Sequence, residues 1–222
     1  VKVSMSRETP RFDYCLNVAA TYIGTSVLGP GVRSVVWVQG CPHQCEGCIS
    51  PDWIPFRPAR LVHVTELVSE LLQDEAIDGF TFSGGEPFMQ AQALAGLIRL
   101  ARRERPLSLI CYSGYTLKAL QNLTSIPGVQ DLLSETDVLI DGAFIPALND
   151  NRGLRGSSNQ HIHYLTGRHR DQDFETGPRK VEIIIQNGTL QMVGIPSIGI
   201  YHSVLKNTDK LIKSYEGEYE RS

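Results

Sequence analysis

Three cysteines stand close together in the first quarter of the chain with the spacing C-x3-C-x2-C: Cys41, Cys45 and Cys48. Three thiolates on one short loop can hold three irons of a four-iron, four-sulfur cluster, and the remaining iron is then open to bind a group that is not protein. An open iron implies chemistry rather than storage of electrons. The loop therefore predicts a [4Fe–4S] cluster, with these three cysteines as metal ligands and catalytic residues.

A zinc site is the alternative for the same loop. His43 lies between the first two cysteines, and three cysteines with one histidine form an ordinary tetrahedral zinc site. A second motif argues against zinc. Residues 79–88 are predicted to form a short apolar strand that runs into a Gly-Gly-Glu-Pro turn at residues 84–87. Paired glycines let a backbone approach a ligand closely, and a glutamate can accept a hydrogen bond from an ammonium group.

Together the two motifs resemble the signature of the radical S-adenosylmethionine (SAM) enzymes. In that family the open iron binds the amino and carboxylate groups of SAM, and an electron from the reduced cluster cleaves the sulfonium to methionine and a 5′-deoxyadenosyl radical. The resemblance implies one [4Fe–4S] cluster and SAM as cofactors, and reduced flavodoxin or ferredoxin as the electron donor. It also implies cofactor-binding roles for residues beside the two motifs: Gly47, Ile49, Ser83, Gly84, Gly85 and Glu86.

Further segments resemble the anaerobic ribonucleotide reductase activating proteins, which, like the pyruvate formate-lyase activating enzymes, abstract a hydrogen from a glycine of a partner enzyme. These segments are residues 29–33, 112–116, 141–145 and 152–160, and the resemblance runs from about residue 22 to residue 165. It implies contacts with SAM for Ser113, Asp141, Arg155 and Asn159, or with a cation for Asp141. For Ser113 and Asp141 a simple turn-forming role is the alternative.

The composition is that of an ordinary globular chain. The 222 residues carry a net charge of −3, from 21 basic and 24 acidic side chains, and 41% are hydrophobic. No stretch approaches the roughly 18 apolar residues of a membrane span, and the first residues form no apolar signal core. The arginines at positions 102, 103 and 105 are expected to end a helix, where the dipole favours cations. We therefore expect a cytoplasmic protein that binds neither membranes nor nucleic acid.

Apolar runs alternate with helical patterns, which predicts parallel strands with crossover helices. The predicted strands cover residues 34–39, 80–83, 107–112 and 138–141, and the predicted helices cover residues 64–76, capped by Thr65, and residues 88–105. Each motif then follows the carboxyl end of a strand, where sheets and barrels of this type bind ligands. The predicted fold is α/β, a single-domain partial (β/α) barrel of the radical SAM type with a C-terminal β-hairpin.

We expect a radical SAM domain at residues 1–205 and a polar, exposed tail at residues 206–222. Within the domain, three segments have predicted roles: a cluster loop at residues 40–53, a functional loop at residues 143–178, and a hairpin at about residues 180–194 with an Asn-Gly turn.

Five other residues have predicted roles unrelated to the cluster. Cys15 and Cys111 are expected to be small buried hydrophobes, because a free cysteine usually is. The histidines at 161, 163 and 169 are expected to be solvated.

The leading functional hypothesis is a radical SAM activase that installs a glycyl radical on a partner enzyme resembling anaerobic ribonucleotide reductase. One alternative is a radical SAM enzyme that modifies a peptide or small molecule directly. Another is a non-catalytic iron–sulfur or zinc module that mediates interactions. SAM cleavage separates the last hypothesis from the other two.

Overall fold

The computed structural model describes residues 14–186 and 189–219. Seven of the strands within these residues form one mixed sheet, and two more pair as a separate hairpin. The sheet strands are β1 (Cys15–Thr25), β2 (Val32–Val38), β3 (Arg60–His63), β4 (Ile77–Gly84), β5 (Ser108–Ser113), β6 (Val138–Asp141) and β7 (His161–Tyr164). The hairpin strands are β8 (Val181–Gln186) and β9 (Thr189–Gly194).

The centre of the sheet is a parallel block of β2, β4, β5 and β6, in that order. On one side β1 and then β3 continue the sheet in antiparallel fashion, and on the other side β7 pairs antiparallel with β6. Strands β3 and β7 are therefore the edges of an open sheet in the described part of the chain. The predicted α/β class and the four predicted strands are confirmed, whereas β1, β3 and β7 were not expected.

Five α-helices accompany the strands in the described residues: α1 (Val64–Leu71), α2 (Ala91–Glu104), α3 (Leu117–Asn122), α4 (Val129–Glu135) and α5 (Ile198–Tyr219). Helix α1 ends earlier than predicted, and its cap is His63, whose side chain accepts from the Thr65 amide, rather than Thr65 itself. A 3₁₀ turn, Pro87–Gln90, precedes α2. Pro87 fits this position because the first residues of a helix need no N–H partner.

One face of the sheet is covered by helices. Because side chains alternate along a strand, Val36, Phe82, Leu109 and Leu139 point to this face, where they are fully buried in one cluster with residues of α1, α2 and α4. Cys111 belongs to the same cluster, which confirms its predicted role as a buried hydrophobe. This face is a closed apolar core.

The opposite face is covered by the hairpin and loops rather than by helices. Val35 and Trp37 pack there with Val193 of β9, and Ile110 and Ile140 pack with Phe174. The predicted hairpin strands are confirmed, while the predicted Asn-Gly turn lies outside the described residues.

A buried arginine closes the amino end of the parallel block on this second face. Arg33 is fully buried and donates to Thr81 Oγ1 at 2.8 Å, to Ser108 Oγ at 2.9 Å and to the Phe80 carbonyl oxygen. Burial lowers the pKa of Arg33 to about 10. Arg33 is the last residue of the segment 29–33 that resembles the activating proteins. Its hydrogen bonds explain why this position is an arginine, and they give the residue a structural role.

One expectation about the ends of the chain is corrected. Cys15 is exposed rather than buried, because it begins β1 and pairs only with the edge strand β3. Residues 206–219 of the predicted polar tail are part of helix α5. Among the described residues, no helix has both the length and the apolar character required to span a bilayer.

Candidate functional site

A cavity of about 220 Å³ lies at the carboxyl ends of the parallel strands, on the face that the hairpin covers. Each of β2, β4 and β5 contributes a side chain from that face: Trp37, Ser83 and Tyr112. The loops that follow these strands complete the wall. The predicted convergence of motifs at one edge of the sheet is therefore confirmed for the cysteine loop, the Gly-Gly-Glu-Pro turn and the residues after β5.

The cysteine loop is closed at its base by backbone hydrogen bonds. The Gly40 amide donates to the Trp53 carbonyl oxygen and the Cys41 amide donates to the Ile54 carbonyl oxygen, both at 2.9 Å. The loop that these bonds close carries Cys41, Cys45 and Cys48, each partly buried, and all three line the cavity. The short spacing of the cysteines thus brings all three residues to the same cavity.

Burial acts against charge on two of these thiols. Desolvation raises the pKa of Cys41 to about 11 and also raises the pKa of Cys48. A thiol of this kind becomes a thiolate when a bound metal supplies positive charge. The electrostatics of the loop therefore suit metal ligands better than free nucleophiles.

The donor set fits a [4Fe–4S] cluster with one iron free of protein ligands. Three thiols face one cavity, while Cys111 lies in the core on the other face and Cys15 is exposed on β1. In the described residues, no three or more His, Cys, Asp or Glu side chains converge as the ligands of a single metal ion. His43, the candidate fourth zinc ligand, is directed to Glu86 instead, with 3.5 Å between Nε2 and Oε2.

The two glycines of the Gly-Gly-Glu-Pro turn allow it to pack directly on the cysteine loop. Gly84 has φ +103°, and a Cβ there would lie 2.5 Å from the Val38 nitrogen. A Cβ on Gly85 would lie 2.3 Å from the Gly40 carbonyl oxygen. Both glycines also line the cavity. Because the two glycines have no side chains, the turn can pack closely on the cysteine loop. The same feature allows close contact with a ligand.

Glu86 is the acidic group of the cavity wall, and its carboxylate is buried with 1% exposure. Oε1 accepts from the Phe88 amide and from Ser113 Oγ, both at 3.0 Å, and Oε2 accepts from the Gly114 amide at 2.8 Å. These bonds hold the end of β4 to the end of β5. Glu86 and Ser113 are thus in direct contact, and Glu86 has an organising role that the sequence did not reveal.

His43 joins the cysteine loop to the same carboxylate. Its ring lies edge-on to Tyr115, with 4.5 Å between the ring centroids, and a Cβ on Gly114 would lie 2.4 Å from its Cδ2. His43 Nε2 is buried and lies 3.5 Å from Glu86 Oε2 without forming a hydrogen bond. The histidine is therefore packed between the two motifs at the cavity wall.

Asp141 is buried at the end of β6, just behind the wall rather than in it, since Gly142 is the lining residue. Its Oδ2 accepts from the Leu117 amide and lies 2.9 Å from His163 Nε2, and its Oδ1 lies 3.7 Å from His161 Nδ1. His161 is exposed as expected. His163, by contrast, is half-buried against Asp141, because the unexpected strand β7 pairs with β6 at these residues.

The remaining predicted cofactor residues fall in two groups. Ile49 and Ser83 line the cavity. Gly47, Arg155 and Asn159 are not among its lining residues. Gly47 lies beside Pro146, Arg155 pairs with Asp150 at 3.0 Å, and Asn159 donates to the Ala143 carbonyl oxygen at 2.8 Å. For Arg155 and Asn159 a direct contact with SAM stays a prediction.

Sequence reasoning missed several polar residues of the wall, among them Tyr112, Gln160 and Arg179. Gln160 is buried, accepts from the Gly156 amide at 2.7 Å and donates to the Gly142 carbonyl oxygen at 2.6 Å. Tyr112 donates to the Leu154 carbonyl oxygen at 2.9 Å. Burial raises the pKa of Tyr112 and lowers the pKa of Arg179. Tyr112 and Gln160 lie within the segments of resemblance, whereas Arg179 carried no sequence signal.

Comparison with known proteins agrees with this site. Residues 27–163 match the family described as a 4Fe-4S single cluster domain. The anaerobic ribonucleoside-triphosphate reductase-activating protein of Vibrio cholerae is 37% identical over 150 residues, which are 63% of this chain and 92% of that protein. Its Escherichia coli K12 counterpart is 34% identical over 152 residues, which are again 63% of this chain and 92% of that protein. The pyruvate formate-lyase-activating enzyme of Clostridium pasteurianum is 29% identical over 117 residues, 50% of this chain and 45% of that enzyme.

Proposed function

We propose that this chain, which belongs to the 4Fe–4S single cluster domain family and is a radical SAM enzyme, installs a glycyl radical on a partner enzyme. Similarity to the reductase-activating proteins supports this choice, because the chain spans about nine-tenths of their length. The observation that carries the proposal is the cavity at which the cysteine loop meets the Gly-Gly-Glu-Pro turn. The open sheet is compatible with the partial barrel of the radical SAM type.

Cys41, Cys45 and Cys48 would hold the [4Fe–4S] cluster. When bound, the cluster supplies the electron that breaks the sulfur–C5′ bond of SAM, which leaves methionine and a 5′-deoxyadenosyl radical. The chain's own residues bind and orient SAM and keep water away from the radical. Trp37, which is 7% exposed in the cavity wall, limits solvent on the side of the sheet.

The methionyl end of SAM would lie against the Gly-Gly-Glu-Pro turn. Glu86 offers a buried carboxylate at the cavity wall, and an ammonium group is its natural counterion. Three protein donors already fix the position of this carboxylate, so it needs no reorganisation when SAM binds. Ile49 would contribute apolar contact beside the third cysteine. We extend the same proposal to Gly47, Asp141, Arg155 and Asn159 as supporting residues around the cavity.

The partner would present a glycine whose Cα–H bond breaks, with the hydrogen moving to the 5′-deoxyadenosyl radical. The products are 5′-deoxyadenosine and a glycyl radical. Reduced flavodoxin or ferredoxin would supply the electron in a cytoplasmic setting. The proposed reaction involves neither nucleic acid nor a membrane.

The test is to incubate the reconstituted, reduced protein with SAM and an anaerobic ribonucleotide reductase, and to record the glycyl radical signal by electron paramagnetic resonance (EPR). We expect one SAM-dependent radical signal. Its hyperfine splitting should become narrower when the partner carries glycine deuterated at Cα. The Cys45→Ala variant is the negative control. SAM cleavage without any glycyl radical, together with modification of a peptide or small molecule, would contradict the proposal and favour direct modification.

A further inference from the structure

The C-terminal hairpin contributes to the SAM cavity although it lies beyond the family match, which ends at residue 163. The cavity wall includes Arg179, just before β8, and residues 194–196, at the end of β9. Val193 is fully buried and packs in one cluster with Trp37, which is itself a cavity residue. The hairpin is therefore part of the site rather than an appendage.

Arg179 connects this hairpin to the loop at residues 149–156. Its side chain is only 3% exposed. The guanidinium donates to Asn149 Oδ1 at 2.9 Å, to the Gly156 carbonyl oxygen at 3.1 Å and to the Arg155 carbonyl oxygen. Asn149 and Gly156 line the cavity themselves. A single buried cation thus fixes both ends of this loop relative to the hairpin.

The charge of Arg179 is weakly compensated by protein. Asp150 Oδ1 lies 4.0 Å from Nη2, and the other carboxylate oxygen of Asp150 pairs with Arg155 at 3.0 Å. The Nε–H group of Arg179 is buried and forms no hydrogen bond. A fixed guanidinium at a cavity wall, with donor capacity to spare, favours an anionic group in that cavity.

We propose that Arg179 is a positioning residue for SAM, through which the C-terminal segment sets the affinity of the cavity. It holds Asn149 and Gly156 at the wall and places positive charge on the side of the cavity where the hairpin lies. The role rests on SAM binding alone. It does not require the glycyl radical step of the proposed function, so the two can fail separately.

The experiment measures SAM binding to the cluster-loaded, reduced protein without any partner enzyme. The dissociation constant for SAM and the SAM-induced change in the EPR spectrum are compared for wild type, Arg179→Ala and Lys180→Ala. Lys180 is the neighbouring exposed cation and serves as the matched control. Iron content and thermal unfolding report cluster assembly and folding.

We expect Arg179→Ala to retain about the wild-type iron content and to bind SAM about 10–100-fold more weakly, the size of effect expected for the loss of a hydrogen bond that involves a charged group. Added guanidinium ion at low, non-denaturing concentration should recover part of this loss in Arg179→Ala and do nothing for Lys180→Ala. Unchanged SAM affinity and an unchanged spectral response in Arg179→Ala would overturn the proposal.

Arg179→Lys covers the case in which the alanine variant does not fold. Lysine keeps the charge and most of the buried stem, but an ammonium group cannot reproduce the planar fork that reaches Asn149 and both carbonyl oxygens. Weaker SAM binding at full cluster content would then support the proposal. Wild-type affinity in that variant would overturn it.

Discussion

The two faces of the sheet use alternate residues of the same strands in different ways. Phe82 and Cys111 point to the helix face and are fully buried among apolar side chains. Their neighbours Ser83 and Tyr112 point the other way and line the cavity. Helices close the first face completely, while loops and a hairpin cover the second. Apolar burial on the helix face stabilises the fold. The opposite face can therefore hold polar side chains and a cavity.

The cysteine substitutions should separate the two faces most strongly. Cys41→Ala removes one of three cavity thiols, so the reconstituted protein should lose the cluster and its SAM-dependent spectrum. Cys111→Ala removes a thiol from the helix face and should retain about four irons per chain. Iron analysis after anaerobic reconstitution makes the measurement. Full iron content in Cys41→Ala would break the distinction between the faces.

A substitution on the helix face should cost stability that its neighbour on the cavity face does not. Phe82 is fully buried, so Phe82→Ala should lower the free energy of unfolding by about 3–5 kcal/mol. Ser83→Ala should change it by no more than about 0.5 kcal/mol, because this half-buried side chain borders the cavity. Denaturant unfolding of the apoprotein measures both. Equal losses would show that the cavity face is as tightly packed as the helix face.

Removing charge at Glu86 should affect SAM binding rather than cluster assembly. Glu86→Gln should retain the cluster and weaken SAM binding by about 1.5–3 kcal/mol, the usual size of a hydrogen bond to a charged group. Ser113→Ala, which removes one donor to this carboxylate, is the control for its position. Titration with SAM gives the affinities. Wild-type affinity in Glu86→Gln would reduce Glu86 to a residue that only ties β4 to β5.

The two cysteines outside the cluster loop should differ in reactivity. Cys15 is exposed, so an alkylating reagent should label it in the folded, cluster-loaded protein. Burial raises the pKa of Cys111 well above 9.0, so it should stay unlabelled until the chain unfolds. Because the unfolded thiol loses its proton first, stability should fall slightly as the pH rises above about 9. Residue-level mass spectrometry of the alkylated protein measures the labelling of each cysteine. Labelling of Cys111 at the rate of Cys15 would refute the predicted difference in reactivity.

The local motifs were readable from the sequence because their chemistry depends on spacing. The cysteine loop, the Gly-Gly-Glu-Pro turn and the strand at residues 138–141 all lie where they were predicted. Residues whose roles depend on long-range contacts were not readable. Arg179 meets Asn149 from 30 positions away, and Glu86 meets Ser113 from 27 positions away.

The edge strands were missed for a different reason. Strand β7, with the sequence His-Ile-His-Tyr, lacks an apolar run, because its partner β6 supplies the buried side chains. Its pairing places His163 beside Asp141, so a histidine predicted to be solvated became half-buried. Cys15 was wrongly predicted to be buried, since its apolar neighbours gave no indication that β1 begins there.

The most direct test of the account is SAM cleavage by the anaerobically reconstituted protein. Reduction with dithionite in the presence of SAM, followed by chromatography, quantifies methionine and 5′-deoxyadenosine. We predict that both accumulate in equal amounts and that Cys48→Ala forms neither. The account would be contradicted if the protein carried its full iron content yet formed no 5′-deoxyadenosine. It would also be contradicted if protein purified without oxygen held one zinc and no iron.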